Sequence, residues 1–462
     1  MSRNGVRLLA VAMAGLCLGG MPGIARGALA PGTSSGSSVV LTAQAPSSPL
    51  TFEQAVATAV GKNPQVTAAQ EAVTAAEQRL LQASGGHMPT VSVTGTTGYG
   101  TASVGGSSST VQVPPTSEPR STGSVSVTGT LVLYDNGRTQ IAIDQARANL
   151  TAAQATLQQT GQDVALAAST AFFSVLKAQQ LATVRAAQLE KAQGQLQQSQ
   201  AQVRAGTAAE ADVIQAQAQV AQAQVDLLAA RSQIETTKGT LRSVLAIDLF
   251  APIDVQDPAT QPPAIALTAD AAVREAEANR PEIAKAAADV QASTALLALA
   301  YASTGFQISF GLNGGYVVTS TTPGLSNTTS WALTATVSFP LFDGGKGEAQ
   351  IKEAQANLRA AQAKAEAVHL SIRQDAYQAM LTAVQARANV DATAVAQTAA
   401  AAALQVAEGR YRAGVGTILE VTTARALAAQ AEVNAITARY DQLAALATLR
   451  HALGRPLVGG QL

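Results

Sequence analysis

Cysteine is all but missing: the only one in 462 residues is Cys17, inside an apolar run near the N-terminus. Disulfide frameworks and thiol chemistry are thereby excluded for the rest of the chain. Aromatic residues make up 3% of the sequence, too few for a large close-packed globular core. Thirty basic and thirty acidic residues cancel, with no basic run, so the electrostatic footprint of a nucleic-acid binder is absent. The three histidines, His87, His369 and His451, lie in separate segments without a ligand-spaced partner, and neither a metal nor a cofactor is expected. No Ser/His/Asp or paired-carboxylate arrangement is readable, and Gly344-Gly345 lacks the Lys-Ser/Thr continuation of a phosphate loop. Enzymatic activity is not expected. Proline is missing from the whole of 136–247.

What is present begins with a secretory pattern over 1–27. Arg3 and Arg7 supply the charge, Leu8 to Leu18 the apolar middle, and Ala25-Arg26-Gly27 a small-x-small cleavage site. Beyond it no apolar stretch reaches the roughly 18 residues of a membrane-crossing helix, so entry into a membrane has to use strands. Alanine, glutamine, threonine and valine fill most of the remainder, and the small side chains among them suit helices that approach closely.

The proline-free stretch carries apolar residues every seven positions. Val175, Ala182, Leu189, Leu196 and Val203 form one limb, and Val213, Val220, Leu227, Ile234 and Leu241 the other, a helical hairpin of coiled-coil type over 136–247. The limbs meet at Arg204-Ala205-Gly206-Thr207, where glycine ends one helix and Thr207 or another small polar residue caps the next. A helix from Arg138 to Arg204 is about 100 Å long, too long for an ordinary core.

Residues 28–50, rich in Ser, Gly and Pro, read as a flexible leader. From 51 the chain reads helix (capped by Thr51), helix (65 to about 84), then strands of period two at about 90–104 and 121–134, joined by a polar loop. The turn Tyr134-Asp135-Asn136-Gly137-Arg138 leads into the hairpin. A proline-rich linker follows at 248–268. The order then repeats over 269–454: helices, strands at about 306–318 and 330–342, the turn Phe342-Asp343-Gly344-Gly345-Lys346, and a hairpin over 344–453, before a tail at 455–462. The two turn aspartates differ by 343 − 135 = 208, and the hairpin glycines by 414 − 206 = 208. Equal intervals at distant landmarks predict a tandem duplication of one unit, mainly α with a small sheet.

Four alternating strands leave two open edges, which lipid does not tolerate. Closure has to come from further copies: two reach the eight strands of a small barrel, and three give twelve. A small soluble sandwich and a secreted coiled-coil adhesin without a pore are the alternatives.

The ordered motifs resemble the TolC-like outer-membrane efflux proteins across nearly the whole chain. They are Leu50-Thr51-Phe52-Glu53-Gln54-Ala55 with Asn63-Pro64, both Tyr/Phe-Asp-x-Gly-Arg/Lys turns, Arg204-Ala205-Gly206 before Asp212-Val213, Tyr411-Arg412-Ala413-Gly414 before Glu420-Val421, and Leu453-Gly454. The resemblance implies a homotrimer in the outer membrane of a Gram-negative bacterium, with a 12-stranded β-barrel in lipid continuous with a 12-helix α-barrel in the periplasm. It implies an exit duct of a tripartite efflux or type I secretion system, passively passing small molecules or protein. Its partners are then a periplasmic adaptor and an inner-membrane pump or ABC transporter. By the same resemblance the hairpin turns, at Gly206, Thr207, Gly414 and Gly416, dock the adaptor, and Asp212, Tyr411 and Glu420 retain residue types of a periplasmic gate. Gly416 stands where some relatives carry arginine and Thr423 replaces a second acid, so the latch is expected to run instead through Arg204 or Arg412.

Overall fold

The protein is described from a computed structural model, over residues 49–101, 119–207, 209–257, 267–321, 324–413 and 415–457. The expected signal segment 1–27, the leader up to 48, part of the first strand loop, Gly414 and the end of the tail lie outside these residues. So do 102–104 and 258–266 of the expected first strand and linker.

Thr51 opens helix α1 (Phe52–Lys62) with a capping box: its hydroxyl accepts the Gln54 N–H while the Gln54 side chain accepts the Thr51 N–H. Asn63 ends α1 and caps α2 (Pro64–Ser84), whose first residue is a proline that has no N–H to satisfy. Strands β1 (Thr90–Thr101) and β2 (Pro119–Tyr134) follow, then α3 (Arg138–Arg204) and α4 (Glu210–Val244). The second half runs α5 (Ala269–Asn279), α6 (Pro281–Ala302), β3 (Gln307–Thr321), β4 (Gly324–Ser338), α7 (Lys346–Arg412) and α8 (Ile418–Ala452). Both first limbs have 67 residues and both second limbs 35.

All ten heptad positions of the first hairpin are buried or half-buried, and Val175 and Leu241 are fully so. The largest core lies where α1 crosses the middle of the long helices. Phe52 stacks on Phe173 at 5.3 Å and meets Phe172 edge-on at 5.7 Å. At the same level α8 adds Tyr440 to this core. Burial pushes the Tyr440 hydroxyl's pKa up, and its 3.0 Å hydrogen bond to Asp257 adds to the shift.

Two expected boundaries change. Leu50, assigned to a flexible leader, is buried and pairs in parallel with Val255, through Leu50 N–H to the Asp254 carbonyl at 2.8 Å and Gln256 N–H to the Leu50 carbonyl at 3.1 Å. The described start of the linker is therefore seated on the core. The last strand was expected at about 330–342 but runs Gly324–Ser338. Ser338 pairs with Gln307, the first residue of β3, so the ladder runs out, and Pro340 has no N–H to extend it. At its other end the ladder continues through Ser/Thr/Asn residues, because backbone pairing does not need the apolar alternation that marks a strand in sequence. Against expectation, α6 is also long and apolar enough to meet a length-and-composition test for a membrane-crossing helix; its alanines provide this, and it lies along α3 and α7.

The four strands pair antiparallel in the order β1-β2-β3-β4. Register puts the apolar residues on one face: Val93 opposite Val127, Leu131 opposite Phe310, Phe310 opposite Ala335 and Leu312 opposite Leu333. The other face is hydroxyl-rich, with Thr94 opposite Ser126 and Ser309 opposite Thr336. Thr90 pairs with Thr130 and Gln307 with Ser338. These two end pairs are separated by 307 − 90 = 217 from β1 to β3 and by 338 − 130 = 208 from β2 to β4.

Candidate functional site at the hairpin tips

Each hairpin ends in a turn built by its own backbone. At the first, Gly206 has φ 77°, Gly206 N–H donates to the Val203 carbonyl at 2.9 Å, and Thr207 N–H donates to the Gln202 carbonyl at 3.0 Å. This is the left-handed glycine cap that closes a helix C-terminus. Thr207 does not cap α4 as expected: its hydroxyl also donates to the Gln202 carbonyl, and Ala209, without a side-chain acceptor, occupies the α4 N-cap. At the second turn Thr417 does cap α8, accepting the Glu420 N–H at 3.3 Å. Gly416 packs against the end of α7, where an added Cβ meets Arg410 Cβ at 3.0 Å and Tyr411 N at 3.1 Å. The small residue there is thus a close-packing requirement.

The two tips touch. The Tyr411 hydroxyl donates to Gln202 Oε1 across the hairpins at 3.2 Å. Arg425 of α8 donates to Glu408 Oε1 within its own hairpin at 2.9 Å and to Gln195 Oε1 of the other hairpin at 2.9 Å. Gln195 and Ser199 are buried in this seam. Asp212 lines a small cavity with Gln195 and Ser199, beside Ile418 and Thr422, and its carboxylate has no hydrogen-bond or ion-pair partner among the described residues. Glu420 pairs with Arg410 at 3.7 Å. Both of those side chains are about half exposed, so the pair contributes under about 1 kcal/mol.

Among the described residues of the chain, Arg204 and Arg412 make no bond across the hairpins: each bonds a carbonyl of its own last turn, Arg204 to Gln200 and Arg412 to Glu408, both at 3.3 Å. The bridging cations are Arg410 and Arg425. A signal for them exists in the sequence: 408 and 425, like 410 and 420, stand at similar distances on either side of the second turn, so an antiparallel hairpin sets them face to face.

At the opposite end of the hairpins the strand-to-helix turns are built alike. Asp135 accepts the N–H of Gly137 at 3.0 Å and of Thr139 at 2.7 Å, while Asp343 accepts those of Gly345 at 3.0 Å and Gly347 at 2.7 Å. Gly137 and Gly345 have φ 80° and 84°. Burial raises the Asp135 pKa, but the hydrogen bonds from Thr139 and Gly137 outweigh it and leave the carboxyl below its ordinary value. For Asp343 the Gly347 and Gly345 N–H groups lower it.

Comparison with known proteins agrees with this architecture. The sequence model described as "Outer membrane efflux protein" matches twice, over residues 55–246 and 272–455. No curated protein matches. Among solved structures, the outer-membrane channel OprN is similar at 20% identity and TM-score 0.74, over 88% of this chain and 90% of that one. VceC of Vibrio cholerae is similar at 18% and 0.74, over 87% and 96%. CmeC of Campylobacter jejuni is similar at 14% and 0.75, over 87% and 85%. At these identities the structural likeness establishes the fold, and the family match in both halves carries the assignment. The chain belongs to the outer membrane efflux protein family, TolC-like channels of the Gram-negative outer membrane that extend into the periplasm.

Proposed function

We propose that three copies of this chain close into one duct, the passive exit channel of a tripartite efflux or type I secretion system. The observation that carries this reading is the sheet. It has four strands, one apolar face, and edges at β1 and β4 that are unpaired among the described residues. Trp331, Tyr99 and Val337 on the apolar face are 80%, 78% and 67% exposed. In lipid such a sheet must close on copies of itself, and three copies give the twelve strands of a wide barrel. The apolar face then meets lipid and the Ser/Thr face lines the lumen. A tandem-duplicated unit, supported by limbs of equal length in the two halves, supplies two near-equivalent wall segments per copy. The domains divide at the linker after 247.

The hairpin tips, at Gly206, Thr207, Gly414 and Gly416, are then the docking points for a periplasmic adaptor that bridges to an inner-membrane pump or ABC transporter. Asp212, Tyr411 and Glu420 form the gate, with Arg425 rather than Arg204 or Arg412 as its principal cation. Dilation is a shift between closed and open populations biased by adaptor contacts. Planar-bilayer recording tests both parts. The purified protein should give stepwise conductance, and Tyr411→Phe or Asp212→Ala should raise the single-channel value. A monomer without conductance ends the duct reading; an intact conducting trimer unchanged in both variants removes these residues from the gate.

A further inference from the structure

Within one chain the two hairpins enclose a cleft of about 480 Å³. All four long helices wall it, through Gln188 and Lys191 of α3, Gln219 of α4, Leu404 of α7, and Arg425 and Glu432 of α8; alanine makes up most of its remaining lining. The register that bonds Gln195 to Arg425 sets Gln188 level with Glu432, since 195 − 188 = 432 − 425 = 7. Gln188 and Glu432 therefore stand about two helical turns beyond that contact, on the side away from the tips.

Three groups in this wall have no partner in the protein. The Gln188 amide is oriented by Arg185, which donates to its Oε1 at 2.9 Å and is itself paired with Asp226 at 3.5 Å. The other end of that amide, Nε2, is buried and bonds nothing among the described residues. A buried donor left without an acceptor costs about 1–3 kcal/mol. Lys191, which is exposed, and Glu432, which is half-buried, likewise have neither a hydrogen bond nor an ion pair among the described residues, although both line one cleft. The Arg425 charge, by contrast, is neutralised by Glu408 at 2.9 Å. Repetition does not account for the three groups. At the interval of 208, Gln188, Lys191 and Glu432 answer to Ala396, Ala399 and Gln224, since 188 + 208 = 396, 191 + 208 = 399 and 432 − 208 = 224. A free cation, a free carboxylate and a free amide donor thus meet here, and none of them is called for by the helical scaffold.

We infer that this cleft binds an apolar α-amino acid as its zwitterion. Lys191 and the Gln188 Nε2–H receive the carboxylate, Glu432 receives the ammonium, and the apolar side chain lies on Leu404 and the alanines. One turn separates Lys191 from the level of Gln188 and Glu432, about 5 Å along the axis, so a ligand carrying both charges close together reaches both. A simple anion would leave Glu432 unpaired and a simple cation would leave Lys191 unpaired, and an unmatched charge in a partly desolvated site is unfavourable. Bound there, the ligand ties α3 to α8 beside the contacts of Tyr411 with Gln202 and Arg425 with Gln195, and so favours the arrangement in which the tips touch. Only this last consequence rests on the gate proposed above.

Titration calorimetry on the full chain purified in detergent tests the site with three probes that share one apolar body: L-phenylalanine, 3-phenylpropanoate and 2-phenylethylamine. L-phenylalanine should bind once per chain, about tenfold or more tighter than either of the others. Lys191→Gln should abolish its advantage over phenylethylamine, and Glu432→Gln its advantage over phenylpropanoate, with the far-UV helical signal of the wild type retained. Equal affinities for the three probes, tighter binding of phenylpropanoate, no binding of any probe to the wild type, or wild-type preferences in both variants would each overturn the inference. Planar-bilayer recording reads the consequence separately. L-phenylalanine should lower the open fraction of wild-type channels and leave that of Lys191→Gln unchanged. Specific binding without an effect on conductance removes the coupling to the tips and leaves the site standing, whereas a wild type that conducts nothing ends the duct reading without altering the calorimetric result.

Discussion

The turn from β2 into α3 and the turn from β4 into α7 share one geometry and have opposite surroundings. Each has an aspartate accepting two backbone N–H groups and a left-handed glycine before the helix. Around the first, Tyr134 stacks on Phe306 at 4.7 Å, and Asn136 Nδ2 donates to the Ala302 carbonyl at 3.1 Å. Arg138 donates to the carbonyls of Ala302 at 3.2 Å and Ser303 at 2.9 Å, closing the C-terminus of α6. Around the second, Phe342 is 92% exposed, and the Lys346 ammonium has no partner among the described residues. Local sequence therefore sets the shape of a turn, and the neighbouring element sets what the turn holds. The second turn has the same equipment and faces the open end of the sheet.

Four measurements break or sharpen that comparison. Arg138→Ala removes charge-assisted bonds to the carbonyls that end α6, and should lower unfolding stability in urea by about 2–3 kcal/mol. A loss below half of that would mean the first turn is no better anchored than the second. Gly137→Ala and Gly345→Ala each force a side chain into left-handed backbone with open space around it. Each should cost about 1–2 kcal/mol, equally in the two turns; unequal losses would show that surroundings reach into the backbone.

The third measurement is pH. Both carboxyls titrate below their ordinary 3.8. Their contribution is complete above that value and disappears as pH falls through the lowered folded-state pKa. The stability gaps between the wild type and Asp135→Asn or Asp343→Asn should be constant from pH 7 to 5 and shrink on acidification towards pH 2. A gap that widened in acid would reverse the assignment. The smallest effect belongs to Lys346→Ala, which should leave the urea midpoint of the monomeric chain unchanged within error and alter only the oligomer fraction. A clear loss of monomer stability would show that the second turn has an anchor inside the chain.

Much of the architecture was readable because it is periodic. The seam from Val175 to Leu241, the Thr51 cap and the interval of 208 are local or repetitive features, and helix geometry converts them directly into contacts. The tip was harder. Tyr411 was identifiable, but its partner Gln202, and the Arg425 bridge to Gln195, join residues more than two hundred positions apart. Glutamine is abundant in this chain, so no single one stands out. Thr207 and Ala209 show the same limit at short range: either could precede α4, and the closure of α3 by the Thr207 N–H and hydroxyl decided which became the cap.

Composition and periodicity alone established the long helical hairpins, the strands between them and the two aspartate–glycine turns, because each depends on residues within a few turns of one another. Only the tertiary structure decided which side chains meet across the hairpins, where β4 stops, and that Leu50 is anchored. Those outcomes depend on which surface arrives opposite, and a sequence read along one line does not contain that information.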